Sequence, residues 1–153
     1  QFEPAHKGVF PFEADLQLKA GKEYKDKYVY LYYYNEETKK LEPYKYTKAG
    51  KDGAVQLGLN RGAKYLLTLE NIQPPKVITK KTLYKNNSYQ LKVTNNLPGF
   101  KVTYSSNKKS IATVDKTGKI TTKKDGKVTI TTKVYGGGKT YTSKTTITVK
   151  NKK

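Results

Sequence analysis

Cysteine, methionine and tryptophan are absent from the 153 residues, and the chain holds one histidine and one arginine. Without cysteine there are no disulfides and no thiolate metal sites. With His6 as the sole histidine, a nucleophile activated by a histidine base has little to be built from. Acids are scarce too, at 12 against 31 lysines and arginines. Only Asp115 and Asp125 fall after residue 75, too few for the convergent oxygens that calcium needs. No apolar run approaches the twenty residues of a membrane-spanning helix. No cofactor or metal site is expected, and no membrane insertion.

The cations that are present lie unevenly. Residues 1–75 carry eleven lysines and Arg61 against ten acids, a net +2, whereas residues 76–153 carry nineteen lysines against two acids, a net +17. Such a field attracts polyanions in a salt-dependent way. Lysine is a point charge without the planar fork by which arginine reads guanine edges. Nucleic acid is therefore not the expected partner. An anionic cell-wall polymer or polysaccharide, or a host or surface protein, suits the composition better, as does a simple compositional excess of lysine.

Strand signals run the length of the chain. Leu16 and Leu18 alternate with polar neighbours. Tyr28–Tyr34 is wholly aromatic, β-branched or leucine, and Leu41–Thr47 returns after a polar turn, with Pro43 indicating an edge position or an irregular start. Lys51-Asp52-Gly53 predicts a hairpin into Ala54–Leu59, and Tyr65–Leu69 closes the first half. Further on, Tyr89, Leu91 and Val93 share one face, as do Val128, Ile130, Thr132 and Val134, and Thr145, Ile147 and Val149. That alternation marks antiparallel strands buried on one side. Nowhere do apolar residues hold helical spacing for three turns. Pro74-Pro75 is the expected linker, dividing an all-β chain into two small β-sandwich modules, 1–73 and 76–153.

The stretch Ser105–Ile120 is the most specific. Asp115 opens a turn whose side chain can accept backbone hydrogen bonds, and Gly118 supplies the positive φ that closes it. The run Ile111-Ala112-Thr113-Val114-Asp115, then Gly118-Lys119-Ile120, resembles the hallmark of the bacterial immunoglobulin-like domain, group 2. Residues 87–93, 102–106, 124–131 and 145–149 resemble that family's other strands, with Tyr104 where tryptophan is usual. The resemblance covers roughly residues 76–150 and implies an immunoglobulin-like fold for the second module. The family occurs in adhesins and as accessory modules of secreted glycan-degrading enzymes. Residues 30–42 and 64–68 weakly resemble an uncharacterised β module that accompanies such repeats in secreted proteins of Gram-positive bacteria.

Candidate sites are few. In a regular strand Tyr28, Tyr30, Tyr32 and Tyr34 point one way and Val29, Leu31 and Tyr33 the other. The second set is the natural core face. The first would set four phenols on an outer surface roughly 6.6 Å apart, widened by Tyr44 and Tyr46. Such a surface suits stacking on sugar rings or protein contact, and these six tyrosines are the candidate ligand-binding residues. Glu36 and Glu37 sit side by side in a turn, unlike a glycosidase pair facing across a cleft. Asp125 is a second turn residue, and Gly136-Gly137-Gly138 is a hairpin, since no helix follows to make a phosphate loop. No catalytic residues are expected. The chain reads as a monomeric piece of a larger secreted or surface protein: a spacer or adhesion segment, a carbohydrate- or wall-polymer-binding module, or an enzyme's accessory domains.

Overall fold

Gln1 and residues 8–152 are described in a computed structural model, and of Phe10 only the backbone; His6 lies outside the described residues. The chain divides into two compact units, Gln1–Gln73 and Pro74–Lys153.

The N-terminal unit contains strands β1 (Gly8–Lys19), β2 (Tyr28–Asn35), β3 (Lys40–Lys48), β4 (Ala54–Gly62) and β5 (Tyr65–Thr68), with one 3-10 turn at Lys22–Tyr24. They form two sheets, β1-β4 and β3-β2-β5, all pairs antiparallel. Alternation in β4 directs Val55, Leu57 and Leu59 inward, where they meet Val29, Leu31 and Tyr65 in one core. Each such aliphatic side chain contributes about 1.5–3 kcal/mol when fully buried. The Lys51–Gly53 turn does not make the expected hairpin. It carries the chain from β3 to β4, which pairs with β1 in the other sheet. Local turn residues specify a reversal, but the partner after it is chosen by which apolar faces can cover each other.

In the C-terminal unit the strands are β6 (Lys80–Tyr84), β7 (Ser88–Gln90), β8 (Lys101–Ser106), β9 (Ala112–Val114), β10 (Lys119–Thr122), β11 (Gly126–Gly136) and β12 (Lys139–Lys150). Sheet β7-β10-β9 packs against sheet β6-β12-β11-β8, giving the sandwich that the alternation predicts. Ala112, Ile120, Ile130 and Ile147 are completely buried between them. The β11–β12 hairpin turns through Gly137 and Gly138, both at positive φ, as a two-residue hairpin with matching twist requires. One pairing departs from the antiparallel pattern. β6 and β12, the first and last strands of the unit, run parallel, with Thr146 opposite Lys80 and Lys150 opposite Tyr84.

Polar groups inside the sandwich are tied to backbone. The Thr122 hydroxyl lies 2.7 Å from the Tyr84 carbonyl and accepts the Asn87 N–H at 3.0 Å. The Thr145 hydroxyl donates to the Ile78 carbonyl at 2.6 Å. These bonds pin the segments flanking β6 where β-pairing is short.

Candidate functional site

The tyrosine strand is the central strand of its sheet, flanked by β3 and β5. Its core face is as expected, with Val29 and Leu31 inside. The opposite face is not an outer surface, which corrects the predicted four-phenol row: Tyr30 is 1 % exposed and Tyr32 0 %. The Tyr32 hydroxyl donates to Asn71 Oδ1 at 2.7 Å, and the Tyr30 ring stacks on Tyr46 at 6.2 Å. Tyr28 alone of the row is exposed, at 37 %, and its ring is tilted by 44° against Tyr46, 6.0 Å away. Tyr34 is half-buried. A central strand has neighbours on both edges, and here both faces are covered as well.

Tyr44 and Tyr46 do not widen one surface together. Leu31 pairs with Lys45 but Tyr32 with Pro43, so Tyr44 is the extra residue of a bulge. A bulge breaks the two-residue alternation. Tyr46 stays opposite Tyr30, while Tyr44 turns to the core side. There its ring meets Tyr33 edge-on at 6.1 Å and Tyr65 at 5.9 Å, and its hydroxyl donates to Asn60 Oδ1 at 2.7 Å. Pro43 does sit on an edge strand, as its missing N–H requires.

A polar cluster surrounds Tyr33. Its hydroxyl donates to Glu42 Oε2, and Glu42 Oε1 accepts from Asn35 Nδ2 at 2.7 Å and from the Thr38 hydroxyl at 3.1 Å. The hydrogen bond from Tyr33 holds the Glu42 carboxyl below its ordinary range, and the same bond, with burial, raises the Tyr33 phenol. The Arg61 guanidinium lies 4.4 Å from the centre of the Tyr33 ring, a cation–π contact that strand spacing does not reveal. Burial pushes the Tyr65 phenol up to about 12. A cleft of about 430 Å³ opens beside this cluster, lined by Tyr34, Glu36, Arg61 and Lys64 among others.

Glu36, Glu42 and Asp115 are each engaged by neighbouring groups. Glu36 lies 3.4 Å from Lys39 and 3.9 Å from Lys64, and Glu42 by the contacts above. Asp115 Oδ1 accepts from the Thr117 N–H at 2.8 Å, the Thr117 hydroxyl at 2.7 Å and the Lys119 N–H at 3.0 Å. Led by the Thr117 hydroxyl, these bonds lower its pKa. Among the described residues no three His, Cys, Asp or Glu side chains cluster as metal ligands. No helix there is long and apolar enough to cross a membrane.

No curated protein sequence matches the chain. Among solved structures, a candidate alpha-galactosidase from Bacteroides fragilis NCTC 9343 is similar over 50 % of this chain and 17 % of its own, with 15 % identity and a TM-score of 0.38. Extracellular domains 3–5 of Drosophila OTK are similar over 97 % of this chain and 64 % of their own, with 12 % identity and a TM-score of 0.39. The chain thus spans less than two thirds of either structure. The profile of the bacterial Ig-like domain (group 2), a non-catalytic family, matches residues 72–149. That segment is just over half the sequence and contains the Asp115–Gly118 turn, the buried Ile120 and the parallel β6–β12 pair; the chain belongs to the bacterial Ig-like domain (group 2) family.

Proposed function

We propose that the chain is a non-catalytic extracellular segment of a bacterial surface or secreted protein, and that its Ig-like unit acts as a load-bearing spacer. The parallel β6–β12 pair carries this reading. Because the two strands run in the same direction, the chain enters the unit toward one end of the pair and leaves at the other. Tension applied through both ends slides β6 along β12 and loads their hydrogen bonds together. Peeling a hairpin apart would break bonds one at a time.

The flanking bonds extend the clamp. The Thr146 N–H donates to the Thr79 carbonyl at 2.9 Å, and the Lys85 N–H to the Lys150 carbonyl at 2.9 Å. The same mechanics serve an adhesin or the accessory region of a secreted glycan-degrading enzyme. Members of the family typically stand in extracellular and surface proteins, and this supports the placement.

Single-molecule extension tests the reading. The full chain is held through residue 76 and residue 151 in one series, and through residue 76 and Gly138, the β11–β12 hairpin tip, in the other. End-to-end pulling is expected to give a single unfolding event at higher force than pulling from the hairpin tip. Equal forces in the two geometries would remove the mechanical role.

A further inference from the structure

The outer face of the β6-β12-β11-β8 sheet holds an arrangement that no single strand displays. Lys101 of β8 is paired with Tyr135 of β11, and Lys133 lies two residues further along β11. Lys133 is paired with Thr142 of β12, and Lys144 lies two residues further along that strand. Two more residues lead to Thr146, whose partner on β6 is Lys80. Lys101, Lys133, Lys144 and Lys80 therefore form one diagonal across all four strands, each step one strand over and two residues along. Diagonal neighbours of this kind lie about 7–8 Å apart, so the row is roughly 20–25 Å long.

All four side chains are exposed. The cross-strand neighbours beside the last three are hydroxyls: Thr103 and Thr142 beside Lys133, Thr131 beside Lys144, Thr146 beside Lys80. The two acids of this unit lie elsewhere, Asp115 in the β9–β10 turn of the other sheet and Asp125 in the turn before β11. Among the described residues, the ion pairs involve Lys39, Lys45 and Lys64 of the other unit and none of these four lysines. A row of uncompensated cations at a fixed interval, set among hydroxyl donors, is complementary to a chain carrying anions at a similar interval.

We propose that this diagonal is a binding track for a linear phosphodiester polymer of a short polyol, one phosphate to each lysine. A three-carbon polyol phosphate repeats its charge every six bonds, about 9 Å of bonded path at about 1.5 Å per bond and roughly 7–7.5 Å end to end once the zigzag of the bond angles is allowed for. Lysine meets phosphate as a point charge and needs no fork. Single-stranded nucleic acid also repeats phosphates, but its proteins add aromatic platforms for the bases. Tyr135, beside Lys101, is an exposed ring at one end of the row, and from Lys133 to Lys80 the row passes only hydroxyl residues, so no succession of platforms follows it. This goes beyond the load-bearing role and stands or falls separately from it.

The test measures binding of the full chain to a synthetic glycerol-phosphate oligomer long enough to span the row, as a function of salt. Four lysine–phosphate contacts predict a slope of log K against log salt of about −3, and the double variant Lys133→Gln/Lys144→Gln about −1.4. The control Lys92→Gln/Lys123→Gln removes the same charge beside the β7-β10-β9 sheet and is expected to keep the parent slope. Backbone amide shifts on adding the oligomer are expected along β8, β11, β12 and β6. Equal slopes for the two double variants, or shifts centred on the other sheet, would overturn the track. Tighter binding of a single-stranded DNA oligomer of matched charge, lost with Lys133 and Lys144, would overturn the assignment of the polymer.

Discussion

The ring of Tyr104 lies directly over Gly118: a Cβ added at Gly118 would stand 2.8 Å from the ring's Cζ and 3.0 Å from the Leu91 carbonyl. Gly118 also holds φ +87° to close the Asp115 turn. Strain and crowding therefore act together, and Gly118→Ala is expected to destabilise the C-terminal unit by about 2–4 kcal/mol. Urea unfolding followed at amides of β10 and β11 measures this. A loss below about 0.5 kcal/mol, the range of ordinary surface changes, would show that the ring yields freely.

Asp115 gives that turn a pH dependence. Its native pKa is depressed, so its contribution is fully present above the unfolded carboxylate value, about pH 4, and is lost as pH falls through the lower native value. Asp115→Asn keeps an acceptor oxygen but not the charge. The stability gap between parent and variant is expected to be constant at neutral pH and to close on acidification. A gap independent of pH would contradict the assignment.

Burial of the tyrosine strand predicts an uneven alanine series. Tyr30→Ala and Tyr32→Ala are expected to cost about 3–5 kcal/mol each, as for other large aromatic truncations in cores. Tyr28→Ala should cost no more than about 1 kcal/mol. Thermal unfolding of the N-terminal unit checks the order, and comparable losses at all three positions would mean that the strand has no two-faced burial.

At the alkaline limit the N-terminal unit is expected to weaken first around Tyr65. Its phenol is raised to about 12 from the ordinary value of 10.0. Stability is therefore intact below pH 10 and declines as pH rises toward 12, because the unfolded chain ionises first. Tyr65→Phe should flatten this decline, and an unchanged alkaline profile would remove Tyr65 from its cause.

The C-terminal unit was legible in its sequence because its information is local. The Asp115–Gly118 turn, the parity of Val128 to Val134 and the glycine hairpin each specify structure within a few residues, and the sandwich follows from them. In the tyrosine strand only the core face could be read. Alternation says which side chains share a face, but not whether a second layer covers the other, and the bulge at Tyr44 reverses the parity of its own strand. The lysine diagonal was out of reach for the same reason. It exists only in the register between β8, β11, β12 and β6, while along any one strand its members are isolated exposed lysines.

The load-bearing claim rests on the hydrogen bonds between β6 and β12, and a proline can remove one of them. The bonds at the Thr79 carbonyl and the Lys85 N–H, with the alternation between them, aim the Lys81 N–H at β12. Lys81→Pro deletes that donor, and Lys81→Ala serves as control for the lost contact between Lys81 and the Tyr89 ring, 5.0 Å apart. The decisive measurement is the end-to-end unfolding force of the proline variant against the alanine control, with urea stability measured alongside. The account predicts a drop in force out of proportion to the loss of stability. An unchanged force, or one that merely tracks stability, would contradict it.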